Sequence, residues 1–166
     1  MREPAMVVIG ASAGGLRALR NVLTQLASDF PAPVVVAQHM HASSKGYFVE
    51  ILQQSCKLTV MEAEDKEQAM AGHVYVAPPN YHLLVEYDMS LALSVDEREN
   101  YARPSIDVLF ETASDAMGTS LAGVLLTGAN QDGSNGMVCL KQRGGYAIIE
   151  DPTTAEVDVM PRSAIE

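Results

Sequence analysis

Ser12, His39 and Asp132 each come shortly after an apolar segment of the sequence, and together they have the residue types that acyl transfer requires. A serine hydroxyl is a weak nucleophile until an imidazole accepts its proton, and a carboxylate must orient that imidazole. If the apolar segments are parallel strands of one sheet, their carboxyl ends share the edge where ligands bind in open α/β folds. The three residues are therefore candidates for nucleophile, general base and orienting carboxylate.

The turn around Ser12 has more than one interpretation. Its small residues, Gly10-Ala-Ser-Ala-Gly-Gly15, would expose the hydroxyl between a strand and a helix. The same glycine-rich turn would also suit a bound phosphate, and any serine at this position can cap the helix. His39 can equally be a structural histidine, and Asp132 before Gly133 a turn residue or helix cap. The convergence of the three residues on one edge is what favours a hydrolase.

Predicted strands and helices alternate along most of the chain, which indicates a parallel sheet. In order, the predicted elements are a strand at Met6–Gly10, a helix from Gly15 to Leu26, a strand at Val34–Ala37, a helix at Ser44–Gln54, a helix from Pro104 to Ala113, a strand at Leu121–Leu126, a helix from Gly133 with Met137, Val138 and Leu140 inward, and a strand at Tyr146–Ile149.

Four short strands interrupt this alternation: Leu58–Met61, Val74–Ala77, His82–Val85 and Leu91–Ser94. Turn residues separate the last three, which predicts a meander or hairpin attached to the edge of the sheet. We therefore expect an α/β fold, doubly wound, with a mostly parallel sheet, helices on both faces and a small antiparallel hairpin or meander in the middle region.

Composition excludes several classes of function. A chain of 166 residues with 48% apolar residues is expected to form one domain with its own core. The net charge of −10 and the scattered Lys and Arg residues argue against nucleic acid as a partner. Neither a signal peptide nor a membrane-spanning segment is evident, so we expect no membrane insertion and a cytoplasmic location. Cys56 and Cys139 lack metal-ligand spacing, and no metal is expected.

Six motifs occur in the order found in CheB-type chemotaxis receptor methylesterases, and they cover nearly the whole chain. They are Gly10-Ala-Ser-Ala-Gly-Gly15, Gln38-His-Met40, Tyr75-Val-Ala-Pro78 with His82-Leu, Arg103-Pro-Ser-Ile-Asp107, Leu126-Thr-Gly128 with Asp132-Gly133, and Met160-Pro-Arg-Ser-Ala164. The sequence thus resembles the catalytic domain of this family.

The resemblance implies hydrolysis of methyl esters on glutamate side chains of chemoreceptor cytoplasmic helices, with release of methanol and often with deamidation of receptor glutamines. Ser12 matches the nucleophile, His39 the general base and Asp132 the carboxylate that orients it. The implied partner is a methylated chemoreceptor helix or a similar methylated signalling protein, and no cofactor is implied.

The sequence departs from the family pattern at two places near the site. Ala13 stands where threonine commonly follows the nucleophile, and Ala129-Asn130 stand where a Met-Gly pair is common. The methionine position is associated with stabilising the oxyanion, and a backbone amide remains at Ala129. Ala13 and Ala129 are therefore the oxyanion candidates, and Tyr101 and Arg103 are candidates for substrate contact. The alternative for Arg103 is a capping or pairing role at the surface.

From the resemblance we expect residues 1–166 to form a single catalytic domain. In the family a receiver domain commonly precedes this domain and a short segment follows it, so we expect either a stand-alone esterase or an excised domain without its last segment. Two rival hypotheses stay open. One is a phosphate- or nucleotide-binding α/β module, and the other is a catalytically impaired relative that only docks on receptor helices.

Overall fold

The computed structural model describes residues 3–44 and 46–166. In order, the elements are β1 (Met6–Ala11), α1 (Gly15–Leu23), β2 (Val34–Gln38), α2 (Tyr47–Gln53), β3 (Thr59–Glu62), β4 (His73–Val76), β5 (His82–Val85), β6 (Leu91–Ser94), α3 (Ile106–Met117), a 3₁₀ turn (Gly118–Ser120), β7 (Leu121–Leu125), α4 (Ser134–Gln142), β8 (Tyr146–Ile149) and α5 (Val159–Ile165). Among these residues, no helix is both long enough and apolar enough to cross a bilayer.

Six strands form one parallel sheet in the order β3-β4-β2-β1-β7-β8. β1 is central, and its Val8 pairs with Val35 of β2 on one side and with Gly123 of β7 on the other. The chain leaves β1 toward β2 and later returns to the opposite side of β1 as β7, so the winding direction reverses between β1 and β7. In open α/β sheets such a reversal opens a crevice beyond the carboxyl ends of the strands.

The sheet is covered on both faces, as predicted. Val34 and Val36 of β2 pack into a cluster with residues of α1 and α2, whereas Val35 and Ala37 pack on the opposite face with residues of α3 and α4. All four side chains are fully buried. Because alternate residues of a strand point to opposite faces, a strand covered on both sides must be apolar at every position. This is why Val34 to Ala37 of β2 form a continuous apolar run.

The predicted hairpin is confirmed, but its attachment to the edge of the main sheet and the placement of the strand before it are wrong. β5 and β6 pair antiparallel as a separate two-stranded sheet that packs against α3. β4, in contrast, pairs parallel with both β2 and β3 inside the main sheet and does not join a meander. Val74 to Val76 are fully buried, which is the burial expected of an internal parallel strand.

Two smaller predictions also need correction. Pro104 precedes α3 rather than occupying its first turn, because Ser105 is the N-cap and its hydroxyl accepts a hydrogen bond from the Val108 amide. In α4, Met137 and Leu140 face the core as predicted, but Val138 is 56% exposed. The one-residue step from Met137 rotates Val138 about 100° around the helix, away from the core.

Candidate active site

Ser12 lies in a tight turn between β1 and α1 at the point where the sheet reverses its winding. Its backbone amide donates a hydrogen bond to Thr127 O across the crevice, at 2.9 Å, and its carbonyl accepts one from Gly15 N at 2.8 Å. Gly14 has φ +79°, a conformation that other residues rarely adopt. A side chain at Gly15 would collide with the amide oxygen of Gln38. The small residues therefore make the turn sterically feasible and hold Ser12 at the edge of the sheet.

His39 follows β2 and lies between Ser12 and Asp132. Its Nδ1 is 3.1 Å from Ser12 Oγ, and its Nε2 is 2.6 Å from Asp132 Oδ2. Because an ionised carboxylate only accepts hydrogen bonds, the Nε2 proton points to Asp132 and Nδ1 is left as the acceptor for the Ser12 hydroxyl. The three predicted residues are thus brought into one hydrogen-bonded chain, with Nδ1 rather than Nε2 toward the serine.

Asp132 lies in the loop before α4, where it is fully buried against the N-terminus of α3. Its carboxylate accepts five hydrogen bonds. The donors are His39 Nε2 and Ile106 N to Oδ2, and Asn100 Nδ2, Ser105 Oγ and Asp107 N to Oδ1. Burial alone would raise the pKa of the Asp132 carboxyl, but the hydrogen bonds from His39 and from the backbone amides hold it below its ordinary value. The carboxylate stays charged and fixed behind His39.

Asn100, Ser105 and Asp107 are site residues to which the sequence analysis assigned no role. Asn100 Nδ2 is 2.8 Å from both Asp132 Oδ1 and Asp107 Oδ2, so one amide bridges two carboxylates. The backbone of Asn100 has φ +52°, a left-handed conformation that is uncommon for residues other than glycine. Ser105 and Asp107 belong to the Arg103-Pro-Ser-Ile-Asp107 motif, and that motif was the only signal in the sequence that pointed to them.

Asp107 binds the N-terminus of α4 through its carboxylate. Its Oδ1 accepts hydrogen bonds from Gly133 N at 3.0 Å and Gly136 N at 2.7 Å. Burial raises the pKa of the Asp107 carboxyl; the Gly136 amide opposes this rise, and the charge of Asp132 adds to it. Asp107 therefore links the start of α4 to the same network that holds Asp132.

The raised pKa of Asp107 predicts a pH dependence of stability. The folded protein binds the Asp107 proton more tightly than the unfolded chain does, so this site stabilises the fold as the pH falls through the raised folded pKa. Asparagine cannot titrate. We therefore expect the free energy of unfolding of the wild type, minus that of Asp107→Asn, to increase from about pH 7 to about pH 4. Urea unfolding at each pH measures this difference.

Asp88→Asn provides a comparison of opposite sign. Hydrogen bonds from the hydroxyl and amide of Ser90 lower the pKa of the Asp88 carboxyl, so its contribution is lost as the pH falls. A difference for Asp107→Asn that shrinks or stays constant as the pH falls would contradict the prediction.

Two backbone amides near Ser12 are available to bind an anionic oxygen. In residues 3–44 and 46–166, neither Ala13 N nor Ala129 N donates a hydrogen bond to a protein acceptor. Both residues are exposed at the edge of the sheet, one directly after Ser12 and the other in the loop after β7. These are the two positions that the sequence analysis named as oxyanion candidates, and that role stays a prediction.

Asn130 adds a side-chain donor beside His39, the predicted general base. Its Oδ1 accepts the Asp132 amide hydrogen at 3.0 Å, which fixes the orientation of the side-chain amide. Its Nδ2 therefore faces His39 and lies 3.4 Å from Nδ1, the nitrogen that contacts Ser12. Asparagine, where glycine is common in the family, thus introduces a polar group next to His39 Nδ1.

Two cavities adjoin His39. The larger, about 790 Å³, is lined by Ser12 and His39 together with residues of α1 and α2. The smaller, about 330 Å³, contains Tyr101 and Arg103 on the other side of His39. Tyr101 is 97% exposed on its rim. The larger cavity, which Ser12 lines, can admit an extended side chain to the serine hydroxyl.

Arg103 uses its guanidinium within the protein. It donates hydrogen bonds to the carbonyls of Val95 and Asp96, both at 2.8 Å, and to Asn80 Oδ1 at 2.9 Å. This is the pairing role that the sequence analysis kept as the alternative. Substrate contact by Tyr101 or Arg103 stays a prediction.

A doubly wound sheet with serine, histidine and aspartate hydrogen-bonded in sequence at its carboxyl edge is the arrangement of a serine hydrolase. Comparison with known proteins gives the family. The model of the family described as CheB methylesterase matches residues 7–166, and the chain belongs to this family.

Individual relatives agree with this assignment. A protein of Leptospira interrogans is 52% identical over 160 residues, covering 96% of this chain and 83% of that protein. Its name assigns it provisionally as a protein-glutamate methylesterase/protein-glutamine glutaminase. A protein of Nitratidesulfovibrio vulgaris, named protein-glutamate methylesterase/protein-glutamine glutaminase 2, is 40% identical over 97% of this chain and 45% of its own length.

A solved structure shows the same fold. The crystal structure of the Thermotoga maritima CheB methylesterase catalytic domain superposes with a TM-score of 0.93 at 36% identity, over 99% of this chain and 88% of that one. The fold predicted from the sequence and the family resemblance are both confirmed. The comparisons favour the hydrolase hypothesis over the phosphate-binding alternative.

Proposed function

We propose that this chain is a protein-glutamate methylesterase that hydrolyses glutamyl γ-methyl esters on chemoreceptor cytoplasmic helices, and that it acts in the cytoplasm. The observation that carries the proposal is the hydrogen-bonded chain from Ser12 Oγ through His39 to Asp132. The family assignment and the names of the relatives support the substrate class. The names of the relatives also indicate a second activity, the deamidation of glutamine side chains.

In the first half-reaction, Ser12 Oγ attacks the ester carbonyl carbon while its proton passes to His39 Nδ1. The carbonyl oxygen becomes negative and can accept hydrogen bonds from Ala13 N and Ala129 N. Asp132 stabilises the imidazolium through Nε2–H. When the C–O bond breaks, His39 Nδ1 returns the proton to the leaving oxygen, so methanol departs and a glutamyl ester of Ser12 remains.

In the second half-reaction, water takes the place of methanol. His39 Nδ1 removes a proton from the water as its oxygen attacks the acyl-enzyme carbonyl, and Ser12 Oγ leaves with that proton. The products are a glutamate carboxylate and the free enzyme. A glutamine side chain would follow the same steps with ammonia as the leaving group, because the same Nδ1 proton reaches the leaving nitrogen.

The proposal is tested by measuring methanol release from a methylated chemoreceptor cytoplasmic fragment, alongside labelling by a serine-directed fluorophosphonate. We expect catalytic methanol release and a single adduct that peptide mass spectrometry assigns to Ser12. Labelling without methanol release would mean that the esterase substrate is wrong. Absence of both would favour the rival hypothesis of a receptor-docking relative without catalytic activity.

Asn130 is expected to contribute to the rate through its side-chain amide. Once His39 Nδ1 is protonated it no longer accepts a hydrogen bond, which leaves Asn130 Nδ2 free to donate to the developing oxyanion. We expect Asn130→Ser to lower kcat roughly 10- to 100-fold with little change in KM. Serine keeps an oxygen that can accept the Asp132 amide hydrogen, so the turn is retained while the amide donor is lost.

Asn130→Gly introduces the residue that is commoner in the family. It removes both the amide donor and the side-chain oxygen that accepts the Asp132 amide hydrogen, so comparison with Asn130→Ser distinguishes the effect of the donor from that of the turn. If the amide matters, both variants lose a similar part of kcat. If only the turn matters, Asn130→Ser retains wild-type kcat and the proposed role of the amide is wrong.

A further inference from the structure

The two cavities beside His39 carry most of their charge as arginine, although the chain as a whole has a net charge of −10. Arg17 and Arg20 of α1 line the larger cavity, and Arg98 and Arg103 line the smaller one. Within the part of the chain that the structure describes, Glu156 is the one acidic residue in the lining of the larger cavity, and the lining of the smaller cavity has none. The two cavity linings therefore carry a net positive charge on an acidic protein.

Three of these arginines have guanidinium groups that are free for a ligand. In residues 3–44 and 46–166, Arg17, Arg20 and Arg98 form no salt bridge, and their guanidinium groups donate no hydrogen bond. All three are exposed. Arg17 and Arg20 are three residues apart in one helix, so they lie on the same face and project toward the same cavity.

Two acidic groups lie near Arg17, which also lines a small neighbouring cavity together with Glu150 and Glu156. Glu156 lies beside Gly14, whereas Arg20 is nearly two turns further along α1, so this acidic pair leaves the charges of Arg20 and Arg98 unopposed. Glu97 and Glu99 flank Arg98 in the chain, but neither lines the smaller cavity. The Asp132 carboxylate beneath His39 is engaged by five donors.

We propose that the arginine-lined cavities bind an acidic segment of the substrate, with carboxylates on both sides of the glutamyl ester contacting Arg17, Arg20 and Arg98. This inference rests on the proposed methylesterase function and names the kind of sequence that the site selects. Because the rest of the chain is negative, an acidic helix is repelled elsewhere and attracted at this edge, which orients it over Ser12.

The test uses three synthetic peptides of equal length, each with one glutamyl γ-methyl ester flanked by glutamate, glutamine or lysine. For the wild type we expect kcat/KM to be about tenfold higher with glutamate than with glutamine flanks at low salt, and lowest with lysine. The preference should shrink to less than about threefold at roughly 0.5 M salt, because exposed charges are screened.

A triple variant, Arg17→Gln, Arg20→Gln and Arg98→Gln, is expected to reduce the ratio between glutamate- and glutamine-flanked peptides to about one. The matched control is Lys57→Gln, Lys66→Gln and Lys141→Gln, which changes the net charge equally at residues outside both cavity linings. The control should keep the wild-type ratio. A wild-type ratio near one, or a ratio retained by the arginine variant, would overturn the proposal.

Binding separates this inference from the proposed function. The fluorescein-labelled peptides are titrated with Ser12→Ala and with Ser12→Ala carrying the three arginine changes, and Kd is read from anisotropy. We expect tighter binding of the glutamate-flanked peptide only when the arginines are present. If no peptide releases methanol, the proposed function fails, and the Kd values alone then decide whether the cavities select acidic segments.

Discussion

Replacing Ser12 with alanine is expected to lower the rate of methanol release by about 10⁶-fold. The side chain loses the only atom that can form the acyl-enzyme, and His39 Nδ1 then has no hydroxyl within hydrogen-bond distance in place of Ser12 Oγ, which lies 3.1 Å away in the wild type. The oxyanion donors cannot restore the covalent route because they only stabilise charge. Methanol release from a methylated receptor fragment, measured under identical conditions for both proteins, checks this result.

The same substitution should have little effect on folding. The Ser12 hydroxyl makes one side-chain hydrogen bond, to His39, while the turn itself is held by the backbone bonds to Thr127 and Gly15. Ser55→Ala, which removes a hydroxyl after α2, is the control for loss of a serine. Methanol release by Ser12→Ala above about one part in 10⁴ of the wild-type rate would show that another group is the nucleophile.

The candidate residues that follow buried strands could be found from the sequence. Ser12, His39 and Asp132 each follow an apolar run, and the parallel arrangement of those runs places their carboxyl ends at one edge. Since each strand is covered on both faces, the runs are long and continuous, and this makes their ends conspicuous. The fold class and the candidate triad both depend on this signal.

The supporting residues lack such a signal. Asn100 lies 32 residues from Asp132 in the chain, and it meets Asp132 and Asp107 only after α3 and the loop before it are packed against β7 and α4. An asparagine in a polar loop has no distinctive periodicity or spacing. The orientation of the His39 ring is equally invisible in the sequence, because it depends on which nitrogen each neighbour reaches.

The position of β4 was misjudged for a similar reason. Its sequence is apolar throughout, as in a parallel strand, but the turn residues after it resemble those of the hairpin that follows. Local turn chemistry identifies where strands end, and it does not reveal which strand each one pairs with. Pairing with β2 and β3 is set by long-range burial, which the chain achieves only when the whole sheet forms.

Asp132→Asn is expected to lower kcat for methanol release by about 10⁴-fold while leaving the protein folded. Asparagine replaces one carboxylate oxygen with an NH₂ group, so the effect depends on where that group points. The Oδ1 position accepts from Asn100, Ser105 and the Asp107 amide, whereas the Oδ2 position accepts from His39 and the Ile106 amide. The amide oxygen satisfies more donors at the Oδ1 position.

That orientation places the NH₂ group against His39 Nε2. The imidazole then accepts at Nε2 and carries its proton on Nδ1, the nitrogen that must accept the Ser12 proton. The general base is thereby blocked, and the Ile106 amide loses its acceptor while the three donors at Oδ1 keep theirs. Because the lost interaction acts in the transition state, we expect kcat and kcat/KM to fall together while binding of the substrate is retained.

Two measurements separate this tautomer effect from simple loss of structure. Proton and nitrogen NMR of the His39 ring should show the proton on Nε2 in the wild type and on Nδ1 in Asp132→Asn. Asp132→Ala, which removes the whole carboxylate, should destabilise the fold more than Asp132→Asn because it also leaves the buried donors at Ser105 and Asp107 without an acceptor. Wild-type kcat in Asp132→Asn, or an unchanged tautomer with reduced kcat, would show that the carboxylate acts in some way other than by fixing the proton on Nε2.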